Sequence, residues 1–167
     1  YGVNAPERGR DDFAGVDVKG KIVVLLSGAP KNFQTEERAH YGSMGVKRAE
    51  AARRGAIGTI TLGTPTSEKR RPFARGVAGQ REWRMTWTSP EGVAFVRGGA
   101  APSLGSISVK GGQKLFGSAA GRLEAIYAAT ETPEGKIESF DLPTTLAVAL
   151  KSEIQQRRSS NVAGLIE

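Results

Sequence analysis

The alternation of apolar and polar positions divides the chain into short elements separated by turn material. Val16 and Val18 alternate with polar neighbours, Gly20 breaks the pattern, and Ile22-Val23-Val24-Leu25-Leu26 is an unbroken apolar run. A run of that length predicts a strand buried on both faces. Ser27-Gly28-Ala29-Pro30 is turn material, and residues 31–43 are polar without a sustained period, which predicts a loop. From Val46 the period becomes helical. Val46, Ala49 and Ala52 recur along one side, Glu50 precedes Arg53 and Arg54 by three and four residues, and Gly55 supplies a stop. A face of small residues, Ala49 and Ala52, lets such a helix lie close on a sheet. A second strand over 57–62 follows at once, so that strand, helix and strand form a βαβ unit by pattern.

Beyond it, residues 63–82 are rich in Pro, Gly, Thr and Arg, a composition that buries little and predicts a long exposed loop. Trp83 and Trp87 lie where ordered structure resumes. Residues 103–109 read as a short strand, Gly111-Gly112-Gln113-Lys114-Leu115-Phe116 opens a helix, and 123–129 forms another. After a turn at Thr132-Pro133-Glu134-Gly135, the alternation of Leu146, Val148 and Leu150 predicts a strand reaching 154. The chain turns again at Arg157-Arg158-Ser159 into a last apolar run.

A chain of 167 residues holds one domain with a real core. Its longest apolar runs fall far short of a membrane span. With no cysteine, disulfides, thiol nucleophiles and zinc-thiolate sites are excluded together, and the single histidine, His40, is too little for a histidine-based metal site or a catalytic pair. The serines, including Ser159 and Ser160, lack a Gly-x-Ser-x-Gly setting, which sets serine hydrolysis aside.

The charge distribution changes the picture more. The net charge is +7, and residues 1–46 and 85–167 each balance, so the whole excess lies between 47 and 84. Confinement of this kind points to a patch facing a partner or a substrate. Within it, Arg70, Arg71, Arg81 and Arg84 with Trp83 and Trp87 combine cations and aromatic planes, and these six are the candidate substrate or partner contacts. Single-stranded nucleic acid is bound by such a combination, but arginines also grip carboxylates, dock on acidic surfaces or simply face water. Other candidates have plainer readings. Asp11, Asp12 and Asp17 do not have the spacing of a calcium loop and suit turns before a strand. Glu36 and Glu37 are adjacent rather than convergent. Gly111-Gly112 lacks the rest of a phosphate-cradling motif.

The wording of several segments adds a family. Tyr1-Gly2-Val3 followed by Asp11-Asp12-Phe13-Ala14-Gly15-Val16-Asp17-Val18-Lys19-Gly20-Lys21-Ile22-Val23-Val24 resembles the opening of the protease-associated (PA) domain of zinc aminopeptidases related to glutamate carboxypeptidase and the transferrin receptor. Lys47-Arg48-Ala49-Glu50-Ala51-Ala52-Arg53-Arg54-Gly55-Ala56-Ile57-Gly58-Thr59-Ile60 resembles the helix and Gly-Ala pair that precede a strand in such domains. Ile107-Ser108-Val109, the glycine pair and Lys114-Leu115-Phe116 resemble the end of the insert, and Ser160-Asn161-Val162-Ala163-Gly164 the lead into the peptidase domain. The resemblance implies a β-rich α/β fold, a bent sheet or open β-sandwich with flanking helices. It implies a PA domain over residues 1–130, with a linker and the first strands of the peptidase domain over 131–167. The implied role is non-catalytic: to flank the peptidase cleft and modulate substrate access. No catalytic, cofactor or metal residue falls within the chain on this reading, and zinc belongs to the missing peptidase domain. The implied partners are that domain of the same chain and peptide substrates, and the implied location is secreted or periplasmic. The alternative from another class is a free-standing basic module that binds nucleic acid or another polyanion.

Overall fold

The apolar run at Ile22 forms a strand as its composition predicts, but only Leu25 and Leu26 are buried, and Ile22, Val23 and Val24 are half-buried because the strand lies at the sheet's edge among the described residues. In the computed structural model, which describes residues 1–79, 85–95, 101–149, 151, 153, 155–158 and 160, this strand is β3 (Ile22–Leu26). It is preceded by a two-stranded antiparallel ribbon of β1 (Asn4–Ala5) and β2 (Arg10–Asp11). β3 pairs in parallel with β4 (Gly58–Leu62), Ile22 opposite Gly58 and Leu26 opposite Leu62. β4 pairs in parallel with β5 (Ser103–Ile107), with an irregularity between Thr59 and Ile60. The order β3-β4-β5 puts β4 in the middle and leaves β3 and β5 as edges.

The expected βαβ unit is present, with α2 (Met44–Arg53) crossing between β3 and β4. Gly55 follows the helix with φ +87°, a left-handed conformation that a side chain would strain, and a Cβ there would meet Lys19 at 3.1 Å. The expected inner face is corrected. Ala49 is exposed and Ala52 half-buried, whereas Ala51 and Lys47 are fully buried. Lys47 and Ala51 are one turn apart on the face that meets the sheet, and the aliphatic stem of the lysine packs where an apolar residue is ordinarily found.

Two expected loops are helical. Residues 31–43 contain α1 (Thr35–Gly42), where the Gln34 N–H donates to the Glu37 carboxylate at 2.8 Å. Residues 63–82 contain α3 (Pro65–Arg70) and α4 (Phe73–Gly79). Thr64 caps α3 by accepting from the Ser67 N–H at 3.2 Å, and Pro65 stands at its start, where no backbone donor is needed. Downstream, α5 (Val109–Phe116) and α6 (Ala120–Glu131) fall where helices are expected. The strand expected from 146 does not form over 146–149, because no strand of either sheet pairs with this segment. Its remainder includes residues outside those described. Among the described residues the fold is mixed α/β rather than β-rich, with 39% helix against 14% strand and two small sheets.

The core lies on both faces of the parallel sheet. Val24, Leu26 and Leu62 face Tyr1, Val3, Phe33, Phe116 and Leu123, under α5 and α6. Val23 and Leu25 face Phe13, Val18, Ala51 and Ala56, under α2. The period of two along β3 therefore feeds two apolar layers.

Candidate functional site

The basic segment divides in the structure. Lys47 is buried, Arg48 Nε donates to the Met44 carbonyl at 3.2 Å, and Arg53 and Arg54 both bind Glu50 at 2.7 Å. Arg54 also reaches Asp11 at 2.9 Å and lies over the Phe13 ring. The two arginines hold the Glu50 carboxyl down to about 2, the hydrogen bond from Arg53 being the strongest influence. The first half of the charge island is thus engaged inside the fold, Arg48 and Arg53 within α2, and Lys47 and Arg54 in tying α2 to β3 and β2.

Of the six candidate contacts, Arg70 and Arg71 are exposed at the end of α3. With Lys69 and Arg75 they make no ion pair among the described residues. Trp87 stands apart on a short hairpin-like turn closed by Phe95 N–H to the Trp87 carbonyl at 2.8 Å and by Ser89 N–H to the Val93 carbonyl at 2.9 Å. It is 75% exposed and packs edge-on against Phe95, with ring centres 5.9 Å apart. No cation lies over its ring among the described residues. Arg81, Trp83 and Arg84 lie outside the described residues, so the structure joins only Arg70 and Arg71.

A buried polar node is the feature that sequence reading missed. Lys47 Nζ donates to the Leu26 carbonyl at 2.8 Å and to the Gly28 carbonyl, and lies 5.5 Å from the centre of the Tyr1 ring. Burial brings its pKa down from 10.5 to about 7, against the pull of Asp12 and with a smaller push from Arg10. Asp12 is itself buried. Its carboxylate accepts from the Val3 N–H at 3.0 Å and lies 3.0 Å from the Tyr1 amino nitrogen. Arg10 Nε is 2.7 Å away, a charge contact without an aligned hydrogen bond. Burial raises the Asp12 carboxyl, but the Tyr1 amino group, the Val3 N–H and Arg10 together hold it below its ordinary value. The only sequence signal for the node is the one-turn spacing of Lys47 and Ala51.

The remaining candidates have structural roles. Asp11 and Asp17 accept from the backbone N–H groups of Phe13 and Lys19 at 2.9 Å, as turn-forming aspartates do. Glu37 pairs with Arg8, and His40 is exposed in the last turn of α1. The Gly111 N–H is taken by Ser108 Oγ at 2.9 Å and the Val109 N–H by Glu68 at 2.6 Å, so the start of α5 has its acceptors within the chain. Among the described residues no group of three or more His, Cys, Asp or Glu side chains is placed to hold a metal ion. No helix of the described residues is long and apolar enough to cross a membrane. The chain matches no protein-family model, and no curated protein or solved structure is significantly similar to it.

Proposed function

We propose that this chain is a non-catalytic PA domain that flanks the cleft of a zinc aminopeptidase and modulates the access of peptide substrates. The observation that carries the reading is topological. Of the four segments whose wording resembles the family, the last lies mostly outside the described residues; the other three, the opening with the strand at Ile22, the helix and Gly55-Ala56 pair with the strand that follows, and the stretch that starts at Ile107, contribute to one unit, β3-α2-β4 with β5 alongside. Segments that carry a family resemblance and also build one sheet support it more strongly than scattered matches do. Lys69, Arg70, Arg71 and Arg75, exposed and without an ion pair among the described residues, are then the cations offered to acidic groups of the peptidase domain or its substrates.

The coding sequence beyond Glu167 tests this. A His-x-Asp segment opening a set of His, Asp and Glu metal ligands supports the proposal, because zinc catalysis needs several such ligands and an open position. A stop codon, or a following domain without such a set, overturns it. The other reading, a basic module for nucleic acid, draws on the same exposed arginines and on exposed Trp87. It requires oligonucleotide binding that weakens steeply with salt.

A further inference from the structure

The alternation of a parallel ladder decides what the outer side of β3 presents. The Lys21 carbonyl accepts from the Ile57 N–H and the Ser27 N–H donates to the Leu62 carbonyl, each at 3.0 Å. The odd-numbered residues of β3 therefore direct their backbone groups at β4, and Ile22, Val24 and Leu26 direct theirs outward. The Leu26 carbonyl is taken by Lys47. Among the described residues no backbone-to-backbone hydrogen bond reaches the outward groups of Ile22 or Val24. Among the described residues β3 is an open edge, closed at its far end by Lys47.

A groove of about 420 Å³ runs along this edge, with β3 as its floor. Phe13, Val16 and Val18 line one wall, and Phe140 and Leu142 of segment 137–146, which is neither helix nor strand, line the other. That segment is pinned outside the edge by Ser139 Oγ on the Asp12 carbonyl, by Lys21 to Asp141 at 2.8 Å and by Thr144 Oγ1 on the Leu115 carbonyl at 3.1 Å. It makes no backbone hydrogen bond to β3. The strap thus walls the groove without occupying it.

We propose that the outer edge of β3 is a binding site for an extended peptide, which adds as a fourth strand. A purely apolar ligand would cover the outward N–H and C=O groups without pairing them, which is unfavourable. A peptide offers partners at the strand repeat. The walls also state its composition. Successive side chains of an added strand alternate between the two faces of the sheet, and both faces are apolar here, so consecutive uncharged, apolar residues without proline are preferred. The site is argued from the edge geometry alone and stands whether or not the chain is a peptidase accessory domain.

The test uses the 167-residue chain and the peptide acetyl-Thr-Leu-Ala-Val-Ala-Asp-amide, which copies residues 145–149 and adds an aspartate for solubility. At about 1 mM peptide, amide exchange should slow by about tenfold or more at Ile22, Val24 and Leu26 and stay unchanged at Val23 and Leu25, which already bond to β4. N-methylation of one alternate set of peptide amides should abolish binding, and of the other set should leave it. Val24→Pro removes an outward N–H at an edge position that tolerates proline and should abolish binding too. If that variant does not fold, the two N-methylated peptides still decide. Absence of binding, protection confined to other amides, or equal binding by both N-methylated peptides overturns the proposal.

Discussion

The side-chain nitrogen of Lys47 donates to the carbonyl oxygen of Leu26 at 2.8 Å, tying the buried face of α2 to the outward side of β3. The bond is made by a group whose burial disfavours its charge, so pH should report on it. The folded-state pKa of Lys47 is about 7, below its ordinary 10.5. Between those values the unfolded chain holds a proton that the folded chain has lost, and stability should rise with pH, by at most about 1.4 kcal/mol per unit. Below pH 7 the lysine is charged in both states and the full penalty stands. Lys47→Met should remove the rise while losing the two carbonyl bonds at every pH. Urea unfolding between pH 8 and 10, above the window of the Tyr1 amino group, which burial lowers from 8.0 to about 6, checks this. Parallel stability curves for the two proteins would refute the assignment.

The phase of α2 gives a second expectation. Ala51 is fully buried against Phe13, Val18 and Leu25, and Ala49 is exposed. Ala51→Leu should force α2 off the sheet and cost about 1–3 kcal/mol, while Ala49→Leu should stay within about 0.5 kcal/mol of the unsubstituted chain. Equal denaturation midpoints for the two variants would place the inner face elsewhere.

Two helical glycines should respond with opposite signs. A Cβ on Gly112 in α5 would stand 2.8 Å from Leu62 Cδ1, 3.0 Å from Tyr127 Oη and 3.3 Å from Leu123 Cδ2, inside the core. A Cβ on Gly121 in α6 meets nothing within 4 Å. Gly112→Ala should destabilise by about 1–3 kcal/mol through overpacking. Gly121→Ala should stabilise by about 0.5–1 kcal/mol, because alanine has less unfolded-state freedom to lose. Thermal melts of the two variants should move in opposite directions.

The sequence was most legible where a single period dominated. The run at Ile22, the helix before Gly55 and the strand after it each carried one pattern, and the pairing of 22–26 with 58–62, one residue short of the expected 57–62, followed from their order. α1 and α3 were illegible because they are short, polar and held by capping bonds at Gln34 and Thr64 rather than by a long apolar stripe. The segment from Leu146 shows the opposite failure: it alternates as a strand does, but alternation supplies no partner, and 146–149 remain unpaired. The charge island was correctly located, yet its first half proved internal, since a sum over residues does not register that Arg53 and Arg54 converge on Glu50. Lys47 was counted as surface charge for the same reason. A lysine is almost never fully buried, and only the fold reveals the two carbonyls that accept from it.

What remains of the island is its outer half, and it carries the last prediction. Arg70, Arg71 and Arg75 are exposed and unpaired among the described residues, and Trp87 is 75% exposed. Changing the three arginines to Ser and Trp87 to Ala should therefore leave the denaturation midpoint nearly unchanged, since each contributes within about 0.5 kcal/mol. Their influence should instead be on encounter. If the chain belongs to a zinc aminopeptidase as proposed, the triple arginine variant of that enzyme should lower kcat/KM for acidic peptides relative to neutral ones. The difference should shrink as ionic strength rises and the Debye length falls below about 8 Å. If Trp87 contributes by stacking rather than by charge, Trp87→Ala should lower kcat/KM equally at all salt concentrations. Wild-type rates for both peptide classes across ionic strength would leave these arginines as a solvated surface. Loss of oligonucleotide binding in the triple variant, with a salt slope reduced by about one counterion per contact removed, would instead establish the nucleic-acid reading.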